Sequence, residues 1–200
     1  MTLPTVISPT NLSNTFLGDL IQVCTVTRDH RRAIDGMIKL GFGPWTIRTF
    51  DRSNLTDMIY RGRPAQFSMK ICLADSRNMN WEVIEPIEGP SIYTEFLERH
   101  GEGVQHLAFN CSGIAYAERL RYFADRGYET IQSGLYMGRV RFHYFATEAD
   151  ARTIFEVFDV PTDFVFPAPE AWVPGPPPAQ QLLARALHRM TPNPAFHRSR

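Results

Sequence analysis

Trp81-Glu82-Val83-Ile84-Glu85-Pro86 returns later in the chain as Phe155-Glu156-Val157-Phe158-Asp159-Val160, with Pro161 next. In both copies a glutamate stands second among large apolar residues, in the period-two pattern of a strand with a buried face. A carboxylate on such a strand is stable when it faces water, a partner or a metal ion. Its recurrence predicts a duplicated module that brings two carboxylates to one place.

The surrounding sequence repeats in the same order. Residues 18–26 read as a strand, Thr27-Arg28-Asp29 offers N-cap residues, and Ile34, Met37 and Ile38 recur at helical spacing before a stop at Gly41. Strand patterns follow at 45–50, 58–60, 67–74 and 80–85. In the second half, residues 103–109 read as a strand and Ser112-Gly113 as a helix opening. Ile114, Leu120, Phe123 and Ala124 form the helix face, Gly127 closes it, and strands follow at 128–131, 139–146 and 153–158. The expected fold is α+β: two tandem β-α-β-β-β modules forming a cupped mixed sheet. The division is an N-terminal arm (1–17), a first module (18–90), a connecting helix (91–102), a second module (103–162) and a proline-rich tail (163–200). From Pro161 onward the prolines exclude regular structure, apart from a short amphipathic helix expected at 180–190.

Charge and cysteine use narrow the function. Lysine plus arginine equals aspartate plus glutamate at 21 each, so no global basic field attracts nucleic acid or anionic lipid. No apolar run reaches the ~20 residues that span a bilayer. Residues 1–4 lack the basic-then-apolar order of a signal peptide. Cys24, Cys72 and Cys111 form no CxxC pair, lie in apolar runs and read as buried reduced thiols. These features describe a soluble cytoplasmic protein with a small-molecule partner.

Aligning the halves places Gln22 opposite His106 and Glu82 opposite Glu156. One imidazole, two carboxylates and one amide oxygen suit a single divalent ion such as zinc, nickel, cobalt, manganese or iron(II). Each residue alone has an ordinary alternative: a satisfied histidine, or acids facing solvent on half-exposed strands. Their coincidence at repeat-equivalent positions favours the shared site. Arg48, Arg61, Arg63 and Lys70 are either contacts for an anionic substrate or solvated surface charges. His143 and Tyr144, on the strand before Glu156, either line the cleft or pack in the core.

Gln22 opening Gln-Val-Cys-Thr-Val-Thr-Arg-Asp, Gly-Phe-Gly-Pro-Trp at 41–45, and Gly-Glu-Gly-Val-Gln-His-Leu-Ala-Phe at 101–109 together resemble the vicinal oxygen chelate superfamily. That group includes glyoxalase I, methylmalonyl-CoA epimerase, extradiol dioxygenases and bleomycin-resistance proteins. The resemblance covers residues 18–162 and implies a metal held by Gln22, Glu82, His106 and Glu156. The Gln/Glu/His/Glu order is similar to eukaryotic-type glyoxalase I, and the wording at 90–103 is closer to the epimerases. Gln22, where extradiol dioxygenases carry a histidine, argues against oxygen activation. The implied activity is isomerisation or epimerisation of a carbonyl or acyl compound chelated through two nearby oxygens, with Glu156 as base and Glu82 serving the opposite face. Two alternatives stand beside it: a lyase, hydrolase or cyclase using the same Lewis acid, and a non-catalytic protein that sequesters small molecules. The resemblance also implies a homodimer.

Overall fold

The computed structural model describes residues 16–76, 79–111 and 114–177. The first half contains β1 (Leu20–Val26), α1 (His30–Lys39), β2 (Trp45–Phe50), β3 (Leu55–Tyr60), β4 (Arg63–Pro64), β5 (Ser68–Asp75) and β6 (Asn80–Glu88). Helix α2 (Ile92–His100) leads into β7 (Gly103–Phe109), α3 (Tyr116–Ala124), β8 (Thr130–Tyr136), β9 (Val140–Phe145), α4 (Glu148–Ala151) and β10 (Ile154–Asp159). A last strand, β11 (Ala171–Val173), lies in the proline-rich tail. Among the described residues, no helix is long and apolar enough to cross a membrane.

The helices start and stop where side chains satisfy their free backbone groups. Asp29 caps α1 by accepting the Arg32 amide at 3.0 Å, and Ser91 caps α2 by accepting the Thr94 amide at 3.1 Å. Arg99 and His100 in the last turn of α2 oppose the negative end of its dipole. Helix α3 begins at Tyr116, after an Ala115 cap that makes no side-chain hydrogen bond. Ile114 therefore precedes the helix instead of lining it. Ser112-Gly113 and the helix expected at 180–190 lie outside the described residues.

Among the described residues, all eleven strands join one mixed sheet in the order β11-β2-β5-β6-β1-β7-β10-β9-β8-β3-β4. The two halves meet where β1 and β7 run antiparallel, flanked by the parallel pairs β1/β6 and β7/β10. Alternation along each strand divides the core. Met69 and Ile71 face the concave side with Cys24, Val26, Ile84 and Tyr144, whereas Cys72 and Ala74 face α1 with Ile34, Trp45 and Val83. On the other convex flank, α3 covers Phe145 and Val157 through Tyr116 and Phe123. Each fully buried large apolar side chain contributes roughly 1.5–3 kcal/mol.

Two features depart from plain module duplication. The strand signal at 58–60 extends over Leu55–Tyr60, and β3 leaves its own half to pair antiparallel with β8. Only residues 51–54 separate β2 from β3, so opposite ends of the sheet are drawn together. There the rings of Phe50 and Tyr136 stack at 4.0 Å between centroids. The tail was expected to lack regular structure, but it supplies β11, which pairs with the edge of β2. Prolines exclude a central strand, whereas Ala171, Trp172 and Val173 have free amides and an open edge to pair with.

Candidate metal centre

Strand register places the acids and the imidazole opposite one another. In one row across the central strands stand Glu82 on β6, Cys24 on β1 and His106 on β7. In the next row stand Gln22 on β1, Ala108 on β7 and Glu156 on β10. The pseudo-twofold relation between β1 and β7 exchanges Cys24 with Ala108 and Gln22 with His106, and it carries Glu82 onto Glu156. The equivalences expected from the repeat are thus those of the strand pairing.

His106 sits at the centre, fully buried, and Gln22, Glu82 and Glu156 are each at most 6% exposed. Its Nε2 lies 3.1 Å from Glu82 Oε2 and 3.3 Å from Glu156 Oε2. Gln105 Nε2 donates to the Ile92 carbonyl at 3.0 Å, so its Oε1 faces His106 Nδ1 at 2.6 Å and accepts the hydrogen there. In the neutral ring, Nε2 then presents a lone pair to two carboxylates, which requires a cation between them. Without a metal that cation is a proton: burial opposes charge on the ring, yet Glu156 and Glu82 raise His106 to about 9. Burial raises the Glu156 carboxyl against the pull of His106, and its Oε2 is buried without a hydrogen-bond partner. Two buried carboxylate oxygens converging on one imidazole nitrogen, one of them making no hydrogen bond, fit a divalent ion. Cys24 lies in the same cluster: its sulfur, a Glu82 oxygen and a His106 nitrogen are within 4.8 Å of one another. Burial and Glu82 hold that thiol well above its ordinary range. Gln22 lies in the same cup with its amide 3.5 Å from Asn80 Oδ1.

The other sequence candidates separate by face. Tyr144 is in the cup, its ring 5.0 Å from that of His106 and its hydroxyl accepting from Tyr93 at 2.9 Å. His143, its neighbour on β9, points to the opposite face and shares a hydrogen bond between its Nδ1 and the Tyr116 hydroxyl at 2.7 Å. Lys70 also points away from the cup, pairing with Glu170 of the tail at 2.6 Å. Arg48 lies at the mouth, donating to the Pro167 carbonyl with its guanidinium over Phe166. Arg61 binds Glu95, and Arg63 is exposed on β4. Sequence reasoning missed Cys24, Gln105 and Tyr93. The sequence did carry a signal for Cys24, which follows Gln22 by two residues and so shares its face.

A profile of the glyoxalase/bleomycin resistance protein/dioxygenase superfamily matches residues 21–147, from β1 through β9, so Glu156 lies beyond the matched segment. A hypothetical protein from Bacillus halodurans has a similar structure, with TM-score 0.55 and 14% identity, covering 74% of this chain and 98% of that one. Methylmalonyl-CoA epimerase from Mycobacterium tuberculosis has TM-score 0.52 and 15% identity, covering 74% and 92%. At these identities the likeness is one of fold. No curated protein matches the chain. Paired modules around a cup, together with a profile match over well over half of the sequence, establish that the chain belongs to the glyoxalase/bleomycin resistance protein/dioxygenase superfamily.

Proposed function

We propose that the protein is a metal-dependent isomerase or epimerase acting on a carbonyl or acyl compound with two nearby oxygens. The supporting observation is the placement of His106 Nε2 between the oxygens of Glu82 and Glu156 in a buried cup. Gln22, Glu82, His106 and Glu156 would hold the ion, which when bound supplies Lewis acidity to the paired substrate oxygens. Glu156 would take the carbon-bound proton; its Oε2 makes no hydrogen bond that would have to break first. Glu82, from the other half, serves the opposite face of the substrate and returns a proton there. Gln105 fixes the His106 tautomer, and the phenols of Tyr93 and Tyr144 close the cup beside Glu156.

Elemental analysis of chelator-free protein should find one divalent ion per chain, lost in His106→Ala. With that ion bound, solvent deuterium should enter the acidic carbon of a competent acyl or hydroxy-carbonyl compound. Glu156→Gln should slow that exchange by at least ~100-fold, the scale of general base catalysis. Undiminished exchange in a metal-loaded Glu156→Gln protein removes Glu156 as base. A metal-free cup that binds aromatic compounds tightly replaces catalysis with sequestration.

A further inference from the structure

We propose that Cys24 ligates the ion in this cup, making the centre a mixed sulfur, nitrogen and oxygen site selective for thiophilic divalent ions. This inference rests on the reading of the cup as a metal site and adds a donor outside the Gln22, Glu82, His106 and Glu156 set. Cys24 stands directly between Glu82 and His106 in the sheet register, on the central strand of the three. Its side chain is fully buried on the concave face with Ile84 and Tyr144, and its sulfur lies within 4.8 Å of both neighbouring donor atoms. Glu156 Oε2, buried and making no hydrogen bond although His106 Nε2 stands 3.3 Å away, is a second observation that points to a cation in this cluster.

The geometry needs little adjustment. Ligands about 2.0–2.3 Å from a tetrahedral ion stand roughly 3.3–3.6 Å apart, and His106 Nε2 already lies 3.1 and 3.3 Å from the two carboxylate oxygens. Closing the sulfur onto the same point completes a cluster of one thiolate, one imidazole and two carboxylates. The metal–sulfur bond forms as the thiol proton leaves to solvent, with no change of oxidation state. Thiolate ligation favours zinc, cobalt and cadmium over magnesium and manganese. Gln22, one row away and beside Asn80, then serves as an outer ligand or a substrate contact.

Cobalt(II) substitution reads this directly. The stripped full chain reloaded with cobalt should show a near-ultraviolet sulfur-to-cobalt charge-transfer band besides the visible d–d bands. Cys24→Ala should lose the charge-transfer band while keeping the cobalt. Cys72 and Cys111 lie in the convex-face clusters, so a Cys72→Ala, Cys111→Ala protein should keep the band. This second variant frees the test from the folding of Cys24→Ala. Stoichiometric cobalt without the band in the unaltered chain, or a band lost with Cys72 and Cys111, overturns sulfur ligation and leaves the metal centre standing. Failure to bind any cobalt overturns both.

Discussion

The direction of one amide decides what His106 can hold. Gln105 Nε2 is committed to the Ile92 carbonyl, so Oε1 must take the Nδ1 hydrogen of His106, and Nε2 is left for the cup. This is the support that fixes tautomer and ring orientation in metal-binding histidines, where its loss typically weakens metal affinity 10–100-fold. Gln105→Leu should therefore release the ion to a competing chelator with a dissociation constant raised by about that factor. Gln105→Glu should recover only part of the affinity, because its carboxylate accepts the same hydrogen but sets a second oxygen against the Ile92 carbonyl. Equal affinity in the leucine variant and the unaltered chain would show that Gln105 merely packs. The sequence displays Gln105 beside His106, but adjacent residues on a strand face opposite sides. Here the ladder skips a residue: Cys24 pairs with His106 and Thr25 with Val104, so Gln105 sits in a bulge of β7 that lets it meet His106, and a bulge leaves no periodic signature.

At the scale of elements, the same alternation explains which candidates reached the cup. His143 and Tyr144 are consecutive, so a regular β9 can aim only one of them inward, and it aims Tyr144. His143 instead lies beneath α3, where burial and the nearby Arg141 hold it down to about 4. The unfolded chain binds this proton near the ordinary value of 6.5, so between about 4 and 6.5 the folded state carries fewer protons than the unfolded state. Stability from this residue is complete above pH 6.5 and is lost as pH falls toward 4. His143→Gln should flatten the acid limb of the stability curve, removing on the order of 2 kcal/mol of pH dependence after solvent screening. Denaturant midpoints at pH 4.5 and 7 measure it, and parallel curves for both proteins would remove His143 as a source. The turn from β6 into α2 offers a steric test. Gly89 has φ 81°, and a Cβ there would lie 2.0 Å from the Gln66 carbonyl oxygen. Gly89→Ala should cost about 2–4 kcal/mol, because strain and backbone collision add. Gly138→Ala, at φ 65° with open space around it, should cost only about 1 kcal/mol. Equal denaturant midpoints for the two variants would contradict the collision.

At the scale of the molecule, the repeated Glu strand made the paired modules and their shared cup legible, because period two and repeat spacing survive in sequence. The closure of the cup was not legible. Nothing local to residues 55–60 states that β3 pairs with β8 of the other half, since hydrogen-bond partners across a sheet are chosen by tertiary packing. The tail hid in the same way: its prolines forbid a central strand but permit the three-residue edge strand that anchors it to β2. From β10 the tail runs to the mouth, where Phe164 and Phe166 pack against Tyr136 and Arg48 reaches the Pro167 carbonyl. It then fastens to the first half through Glu170 with Lys70 and the Thr49 amide. This path touches both ends of the curved sheet, so the tail ties β8 to β2. A chain ending at Asp163 should keep its fold but lose roughly 2–5 kcal/mol from the exposed aromatic and strand contacts. Amides of β2 and β8 should exchange hydrogen faster, and a bound ion should pass to a chelator faster. A chain ending at Pro177 retains every one of these tail contacts, so its difference from the shorter chain in the three measurements reports residues 164–177 alone. Unchanged exchange in the shorter chain would mean that the Phe50–Tyr136 stack closes the mouth unaided, and Phe50→Ala in that background should then produce the opening.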